Sequence, residues 1–225
     1  MATNPAPYKT GFIEFLVRCE ALRFGTFVTK SGRTTPFFIN TGVFDSGARM
    51  RRLGQFYAEA LTAHFGADFD VLFGPAYKGI PLAVATAMEL GTEVGIAFNR
   101  KEAKDHGEGG LLVGRRLRDG DRVVIIEDVT TAGTSVRESM ALLRAAADVK
   151  VVGLLVSVDR QERGTGARSA LAELREEFGL RPAAIVTLDE IVAHLHNRPI
   201  DGRVVLDDAM LSAIGDYRAK YGCRA

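Results

Sequence analysis

Two adjacent carboxylates followed by a run of hydroxyl residues form the clearest chemical feature of the sequence. Glu127 and Asp128 come directly after the apolar residues 123–126, and an amphipathic helical pattern begins near residue 135. The carboxylates can accept hydrogen bonds from a ribose, and helix N-terminal N–H groups favour a phosphate. Hydroxyl donors for that phosphate are Thr130, Thr131, Thr134 and Ser135. The pattern indicates a sugar-phosphate site, with an ordinary polar turn and helix cap as the alternative.

A second candidate is the turn at residues 73–80, Phe-Gly-Pro-Ala-Tyr-Lys-Gly-Ile. Its glycines and proline predict a tight connection from a strand to a helix. Lys78 lies where a cation and the N–H groups of the helix could together hold a pyrophosphate. An ordinary turn with a solvated lysine would have the same sequence.

A third candidate is a cationic segment with up to four donors within seven residues, followed by three glycines: Arg100, Lys101, Lys104 and His106. We expect residues 100–116 to form a mobile loop, because the segment is too polar to pack. Glycines allow a hinge, and the sequence implies no structural partner for the cations. A lid that closes over an anionic substrate fits both facts, although most charge runs are solvated surface.

A fourth candidate is Arg160, which follows the apolar residues 151–158. A guanidinium at the end of a strand can make a bidentate contact with a carboxylate. A surface ion pair is the alternative role for an arginine in such a loop.

Strands that alternate with helices predict an α/β fold with a doubly wound, mainly parallel sheet. The predicted strands are 71–73, 94–98, 122–126, 151–158 and 184–188. The predicted helices are 10–22, 47–64, 81–90, 135–147, 168–178, 189–196 and 207–221. Ligands of such sheets bind at the carboxyl ends of the strands, which is where the four candidates lie.

The chain divides into three predicted parts. Residues 1–45 would form a helix and a small β hood, because 24–28 and 36–40 are β-prone and a turn-like segment separates them. Residues 46–200 would form the core, with the lid at about 100–116, and residues 201–225 a C-terminal tail and helix.

Composition limits the possible functions. The chain has 225 residues, 47% of them hydrophobic, which is enough for one α/β domain with a core. Its net charge of +1 gives no field for nucleic acid or membrane. Cys19 and Cys223 are far apart, and the N-terminus lacks a signal pattern, so we expect a cytoplasmic protein. The common ATPase and dinucleotide loop motifs are missing from the sequence.

Residues 123–135 resemble the phosphoribosyl-pyrophosphate (PRPP) motif of type I phosphoribosyltransferases. Four further motifs, in the same order as in the family, resemble the orotate phosphoribosyltransferases: Lys30-Ser-Gly-Arg, residues 73–80, residues 99–109 and Asp159-Arg-Gln-Glu-Arg-Gly. The resemblance covers about residues 10–195. It implies the type I fold with a hood and a flexible catalytic lid. It also implies Mg²⁺-dependent transfer of phosphoribosyl from PRPP to N1 of orotate, in UMP biosynthesis.

The resemblance also assigns residues to roles. PRPP would contact Lys30, Tyr77, Lys78, Arg100, Lys101, Lys104, His106, Glu127, Asp128, Val129, Thr130, Thr131, Ala132, Gly133, Thr134 and Ser135. Orotate would contact Phe38, Ile39, Thr131 and Arg160. Catalysis would rest on Lys104, His106, Arg100 and Asp128, with Lys104 the first choice for stabilising the leaving pyrophosphate. The Ala76–Tyr77 peptide bond would be cis, as is common in this family.

Mg²⁺ would be held mainly by PRPP and water, without a dedicated set of protein ligands. The resemblance implies a homodimer in which each lid reaches the neighbouring active site. Two positions depart from the family pattern: Glu127 replaces a common aspartate, and Ile39 replaces a common second aromatic, so stacking on the pyrimidine would rest on Phe38. We expect no decarboxylase domain, and therefore orotidine 5′-phosphate as the product.

Two other functions remain open from the sequence. One is a phosphoribosyltransferase for another base, such as adenine or hypoxanthine, although the cations and Arg160 suit an acidic pyrimidine better. The other is a PRPP-sensing regulator that kept the fold and binds nucleic acid. The near-neutral charge argues against the regulator.

Overall fold

The computed structural model describes residues 6–29, 32–104, 110–130, 132–164 and 166–223. The helices are α1 (Pro7–Arg18), α2 (Gly47–Phe65), α3 (Gly79–Leu90), α4 (Thr134–Ala146), α5 (Ala170–Phe178), α6 (Leu188–Leu195) and α7 (Asp208–Tyr221). The strands are β1 (Leu22–Val28), β2 (Thr34–Ile39), β3 (Val71–Gly74), β4 (Gly95–Lys104), β5 (Gly110–Gly114), β6 (Arg122–Ile126), β7 (Lys150–Asp159), β8 (Arg181–Thr187), β9 (Pro199–Ile200) and β10 (Arg203–Val204).

The central sheet has six strands in the order β5-β4-β3-β6-β7-β8. All neighbours in it are parallel except β4 and β5, which pair antiparallel. The prediction of a doubly wound, mainly parallel sheet is therefore confirmed. Since β3, β6 and β7 are central, their carboxyl ends meet in the middle of one edge of the sheet.

The two faces of the sheet pack into separate hydrophobic layers. Val124 and Ile126 of β6 belong to the layer with α1, α2 and α3, whereas Val123 and Ile125 belong to the layer with α4 and α5. This division follows from the two-residue period of a strand, and it explains why β6 reads as an unbroken apolar run. Both faces of the sheet are therefore covered by helices.

Helix α1 begins and ends earlier than the predicted range of 10–22. Pro7 stands at its first turn, where the missing N–H costs nothing. Glu20 has a φ of 56°, so the chain reverses there and Leu22 already belongs to β1. Helix α2 begins where predicted, because Ser46 caps it by accepting a hydrogen bond from Arg49 N.

The predicted N-terminal hairpin is confirmed by the antiparallel pair β1–β2. It contacts the C-terminal helix, since the ring of Phe37 on β2 meets that of Tyr217 on α7 at 5.9 Å. Helix α1 packs through Phe12 into the same layer as α2. The boundaries at residues 45 and 200 stay predictions.

The expectation of an irregular loop over residues 100–116 is wrong for the described part of that segment. Strand β4 continues to Lys104, and β5 runs antiparallel to it, with Phe98 opposite Val113. A two-stranded ribbon is held by backbone hydrogen bonds, so polar side chains do not prevent it. Residues 105–109 lie outside the described residues.

The small antiparallel pair β9–β10 was also not predicted from the sequence. Within the described ranges, no helix is both long enough and apolar enough to cross a membrane.

Candidate active site

Glu127 and Asp128, named here the acidic strand end, directly follow β6. Their backbones continue the pairing with β7, because Glu127 N donates to Leu155 O at 3.0 Å and Ser157 N donates to Asp128 O at 2.8 Å. The two residues are only 7% and 6% exposed. The fold therefore fixes both carboxylates at the centre of the sheet edge.

The Glu127 side chain is held by hydrogen bonds to both of its oxygens. Asp128 N donates to Oε1 at 3.0 Å, and Ser135 Oγ donates to Oε2 at 2.7 Å. Burial raises the pKa of Glu127, while these two hydrogen bonds oppose the rise. The Tyr57 hydroxyl supports the backbone by donating to Glu127 O at 2.8 Å. Burial also raises the pKa of Tyr57 well above its usual value, so this donor stays protonated.

The two oxygens of Asp128 have different surroundings. Oδ2 accepts from Thr41 Oγ1 at 2.6 Å and from Lys78 Nζ at 2.9 Å. Oδ1 is buried and has no hydrogen-bond partner among the described residues. A buried carboxylate oxygen without a donor is costly, so Oδ1 is an acceptor available to a ligand.

The turn that carries Lys78 lies directly against the acidic strand end. The Ala76–Tyr77 bond is cis, as predicted, and Ala76 N donates to Asn99 Oδ1 at 2.8 Å. A Cβ on Gly79 would come within 2.8 Å of Ile126 O and 2.6 Å of the Pro75 ring. Only glycine allows this approach, which brings the Lys78 ammonium to Asp128.

The loop after the acidic strand end turns into α4 at Gly133, which caps the helix with a φ of 72°. Gly133 N donates to Thr130 Oγ1 at 3.1 Å, and Ala132 O accepts from Arg137. These contacts place the predicted loop residues Val129, Thr130, Ala132, Gly133, Thr134 and Ser135 around the N-terminus of α4. This arrangement of hydroxyls and N–H groups suits a phosphate.

The β4–β5 pair, named here the cationic hairpin, carries Arg100 and Lys101, two of the predicted lid cations. Lys101 Nζ lies 5.3 Å from the ring centre of Tyr77, which is 66% exposed. Arg100 Nη1 is buried without a hydrogen-bond partner in the described part of the chain. Both cations line an open cleft of about 520 Å³ that also contains Ala76 and Ser135.

Four predicted site residues cannot be placed. The side chain of Lys104 and the whole of Lys30, His106 and Thr131 lie outside the described residues. The backbone of Lys104 pairs with Gly110 near the end of the cationic hairpin.

Arg160 lies after β7 and is 11% exposed in its side chain. Its Nε and Nη2 donate to Glu162 Oε1 at 2.9 and 2.6 Å, and its guanidinium lies 4.3 Å from the ring centre of Phe37. A narrow cleft joins Arg160 to Thr130 of the phosphate loop. The structure thus brings Arg160 beside the PRPP-type loop.

The ring of Phe38 is not brought to Arg160. It stacks on Phe27 at 5.5 Å, with Arg23 lying over both rings. Side chains alternate between the two faces of a strand, so Phe37 faces Arg160 while Phe38 faces the other way. Ile39 shares the face of Phe37 by this alternation and packs against the core. The assignments of Phe38 and Ile39 to orotate stay predictions.

Sequence reasoning missed several residues that shape the site. Thr41, Tyr57 and Ser157 support the acidic strand end, Asn99 supports the Lys78 turn, and Phe37 and Glu162 contact Arg160. Glu162 and Asn99 lie inside motifs already singled out, which was a usable signal. Tyr57 has no such signal, because it is an apolar-face residue of a helix.

Comparison with known proteins agrees with this geometry. The family described as phosphoribosyl transferase domain matches residues 43–171. An orotate phosphoribosyltransferase of Lachnoclostridium phytofermentans is 56% identical over 97% of this chain and 99% of its own length. One of Methylococcus capsulatus is 49% identical, over 96% of this chain and 98% of its own length.

A solved structure of orotate phosphoribosyltransferase from Francisella tularensis also matches. It has a TM-score of 0.80 and 34% identity, covering 94% of this chain and 99% of that one. With relatives of about half identity over nearly their full lengths, and a shared fold, this chain belongs to the orotate phosphoribosyltransferases, within the type I phosphoribosyltransferase family.

Proposed function

We propose that this chain transfers the phosphoribosyl group of PRPP to N1 of orotate, giving orotidine 5′-phosphate and pyrophosphate in pyrimidine biosynthesis. The observation that carries the proposal is the acidic strand end, where Lys78 neutralises one oxygen of Asp128 and leaves the other unpaired. This arrangement lies beside the N-terminus of α4, a phosphate site. A ribose 5-phosphate has hydroxyls that could bind the acidic strand end and a phosphate that could bind the N-terminus of α4.

The ribose would be held by the acidic strand end. Asp128 Oδ1 accepts from one ribose hydroxyl, and Glu127 can accept from another because each carboxylate oxygen has two lone pairs. The negative charges also favour the positive charge that develops on the ring as pyrophosphate leaves. The 5′-phosphate binds at residues 129–135, so binding energy far from C1 aligns C1 for attack.

The leaving pyrophosphate would be stabilised by cations from two sides. Lys78 lies on one side, and the cationic hairpin supplies Arg100, Lys101 and Lys104, with His106 assisting. Arg100 Nη1 is buried without a hydrogen-bond partner among the described residues, so it is a donor available to an anionic ligand. Closure of the predicted lid at the far end of this hairpin would exclude water, which would otherwise hydrolyse PRPP.

Mg²⁺ would neutralise charge on the pyrophosphate of PRPP. Within the described ranges, no three His, Cys, Asp or Glu residues form a metal-binding group. The donor set fits a Mg²⁺ ion that takes most of its ligands from substrate and water. Asp128 Oδ1 is the one buried, unpaired carboxylate oxygen among the described residues, so Asp128 would be the protein's contribution.

Orotate would be recognised through its carboxylate by Arg160. Glu162 occupies one edge of the guanidinium, and the other edge remains for a second carboxylate. Thr131 and Ile39 complete the proposed base site, since the Phe38 ring stacks on Phe27 and faces away from Arg160. Because uracil, adenine and hypoxanthine lack the carboxylate, Arg160 would favour orotate over them.

The family motifs also support a homodimer in which each cationic hairpin serves the neighbouring active site. Mixing two variants of low activity, Lys104→Ala and Asp128→Asn, would test this. If the lid acts in trans, mixed dimers regain activity because one site receives an intact lid and an intact acidic strand end. No recovery after subunit exchange would contradict it. A cytoplasmic location stays a prediction from the two unpaired cysteines.

The first test is the loss of orotate absorbance when PRPP is added, with and without Mg²⁺, and with adenine, hypoxanthine and uracil as rival bases. Mg²⁺-dependent turnover of orotate alone is expected. Turnover of another base would agree with the proposed PRPP site but contradict the role of Arg160 in binding the orotate carboxylate. PRPP binding without any turnover would instead favour a regulator.

A further inference from the structure

The loop that carries Arg160 is fixed by the C-terminal helix and the tail that follows it. Arg163 N donates to Tyr221 O, and Cys223 N donates to Gln161 O, each at 2.9 Å. These bonds add the tail to the loop as a short antiparallel pair, with Glu162 opposite Gly222. The last described residues of the chain therefore contact the proposed orotate site.

Side chains of α6 and α7 also hold this loop in place. Gln161 Nε2 donates to Asp189 Oδ2 at 2.8 Å at the start of α6, and Arg218 of α7 pairs with Asp189 Oδ1 at 2.5 Å. Gln161 itself has a φ of 53°, so the loop turns sharply just after Arg160. The loop is thus held on both sides of its turn.

A hydrogen-bonded chain runs from α7 to the guanidinium. The Tyr217 hydroxyl donates to Glu162 Oε1 at 3.0 Å, and the same oxygen accepts from Nε and Nη2 of Arg160. Burial and the Glu162 carboxylate both raise the pKa of Tyr217, so its phenol remains a donor. Tyr217 is 6% exposed and the Glu162 side chain 14%, so water has little access to this hydrogen bond.

The aromatic ring of Phe37 completes the support. Arg160 lies over this ring, and Tyr217 meets it edge-on, with an interplanar angle of 86°. The guanidinium is therefore restrained in its plane by Glu162 and perpendicular to that plane by Phe37. Nε and Nη2 donate to Glu162, whereas Nη1 has no acceptor among the described residues, so its donors are not used by the protein.

We propose that Glu162 and Tyr217 are positioning residues for orotate recognition, which hold Arg160 with its Nη1 edge presented to the substrate carboxylate. This inference rests on the proposed function, because it assumes that Arg160 binds orotate. It assigns the C-terminal helix a role in substrate specificity. Preorganisation lowers the cost of ordering a long side chain on binding, so losing it raises the KM for orotate selectively.

The test compares Tyr217→Phe with the matched control Tyr221→Phe. Both remove one hydroxyl from α7 and keep the ring, but the Tyr221 hydroxyl has no hydrogen bond in the described structure. Tyr217→Phe is expected to raise the KM for orotate about fivefold, on the scale of one ordinary hydrogen bond, because it acts on orotate only through Arg160. The KM for PRPP should match that of Tyr221→Phe, and the melting temperature should fall by only about 2–4 °C for the lost buried hydrogen bond.

A double-mutant cycle shows whether Tyr217 acts through Arg160. Tyr217→Phe should have no further effect on the KM for orotate in an Arg160→Ala background, and Glu162→Gln should behave in the same way. Additive effects, or equal rises in both KM values, would overturn the inference while leaving the reaction intact. If Arg160→Ala alone left the KM for orotate unchanged, the proposed role of Arg160 would fail, and the inference with it.

Discussion

The acidic strand end and the cationic hairpin, which we propose bind parts of the same substrate, are built in opposite ways. The acidic strand end is buried, and donors from α2, α4 and β7 hold it in place. In the cationic hairpin, Lys101 is exposed and Arg100 Nη1 has no hydrogen-bond partner among the described residues. The comparison indicates that the ribose site is formed by folding, whereas the pyrophosphate site is completed by the substrate.

Lys104→Ala should reduce activity more than any of the other substitutions, because it removes a cation proposed to stabilise the leaving pyrophosphate. We expect kcat to fall about 10²-fold or more, the scale of one transition-state charge contact. The melting temperature should not change, because Lys104 is the last residue of β4, far along the strand from the buried Ala97. The matched control is Lys150→Ala, an exposed lysine at the amino end of β7. A kcat within about threefold of wild type would remove Lys104 from this role.

Asp128→Asn should weaken both functions of the acidic strand end. It removes the charge that pairs with Lys78. Because Lys78 and Thr41 donate to one oxygen, the remaining amide oxygen should turn to them and leave an NH₂ group in place of the unpaired acceptor. We expect kcat/KM for PRPP to fall about 30-fold, on the scale of one hydrogen bond to a charged group. Asp45→Asn, which affects only an exposed pair with Arg49, is the control. Equal kinetics for the two variants would contradict the proposed ribose contact.

Tyr57→Phe should lower the stability of the protein with little change in catalysis. The hydroxyl donates to Glu127 O and touches no proposed substrate group. Its loss leaves a buried carbonyl with one donor fewer, and we expect the free energy of unfolding to fall by about 1 kcal/mol. Urea denaturation measures this change. Kinetic constants should stay within about twofold of wild type, and a large loss of kcat at unchanged stability would count against a supporting role.

Glu127→Gln should give the smallest effect, visible in the pH dependence of stability. Burial raises the folded pKa of Glu127 above 4.5, so between 4.5 and the folded pKa the native state binds more protons than the unfolded state. Wild-type stability therefore falls as the pH rises through this window. Relative to wild type, Glu127→Gln should gain stability across the window and then level off.

Chemical denaturation between pH 4 and 8 measures this difference, with the exposed residue Glu59 changed to glutamine as the control. Parallel stability curves for wild type and Glu127→Gln would contradict the raised pKa.

The central sheet could be predicted because its signal is local. Residues 123–126 and 151–158 are apolar on both faces, as parallel strands covered by helices must be. The acidic strand end followed from its place after such a run. The type I motifs likewise occupy contiguous residues, so their order in the chain was enough to indicate the family.

Other parts of the site depend on information that local sequence does not contain. Phe37 and Phe38 are identical residues, and only the register of β2 decides which ring faces Arg160. The extension of β4 to Lys104 depends on backbone pairing with β5. Tyr57 and Tyr217 reach the site from distant helices, and no spacing rule predicts contacts between residues 217 and 162.

Gly79 has a consequence for redesign of this enzyme. Because the Lys78 turn lies against the end of β6 with no room for a side chain at Gly79, the two segments proposed to bind PRPP pack directly against each other. A change in either segment would shift both. To change the base that is accepted, residues 74–79 and 127–135 should therefore be kept. Only the residues around Arg160 should be varied, because hydrogen-bonding groups there can be changed without moving the proposed ribose site.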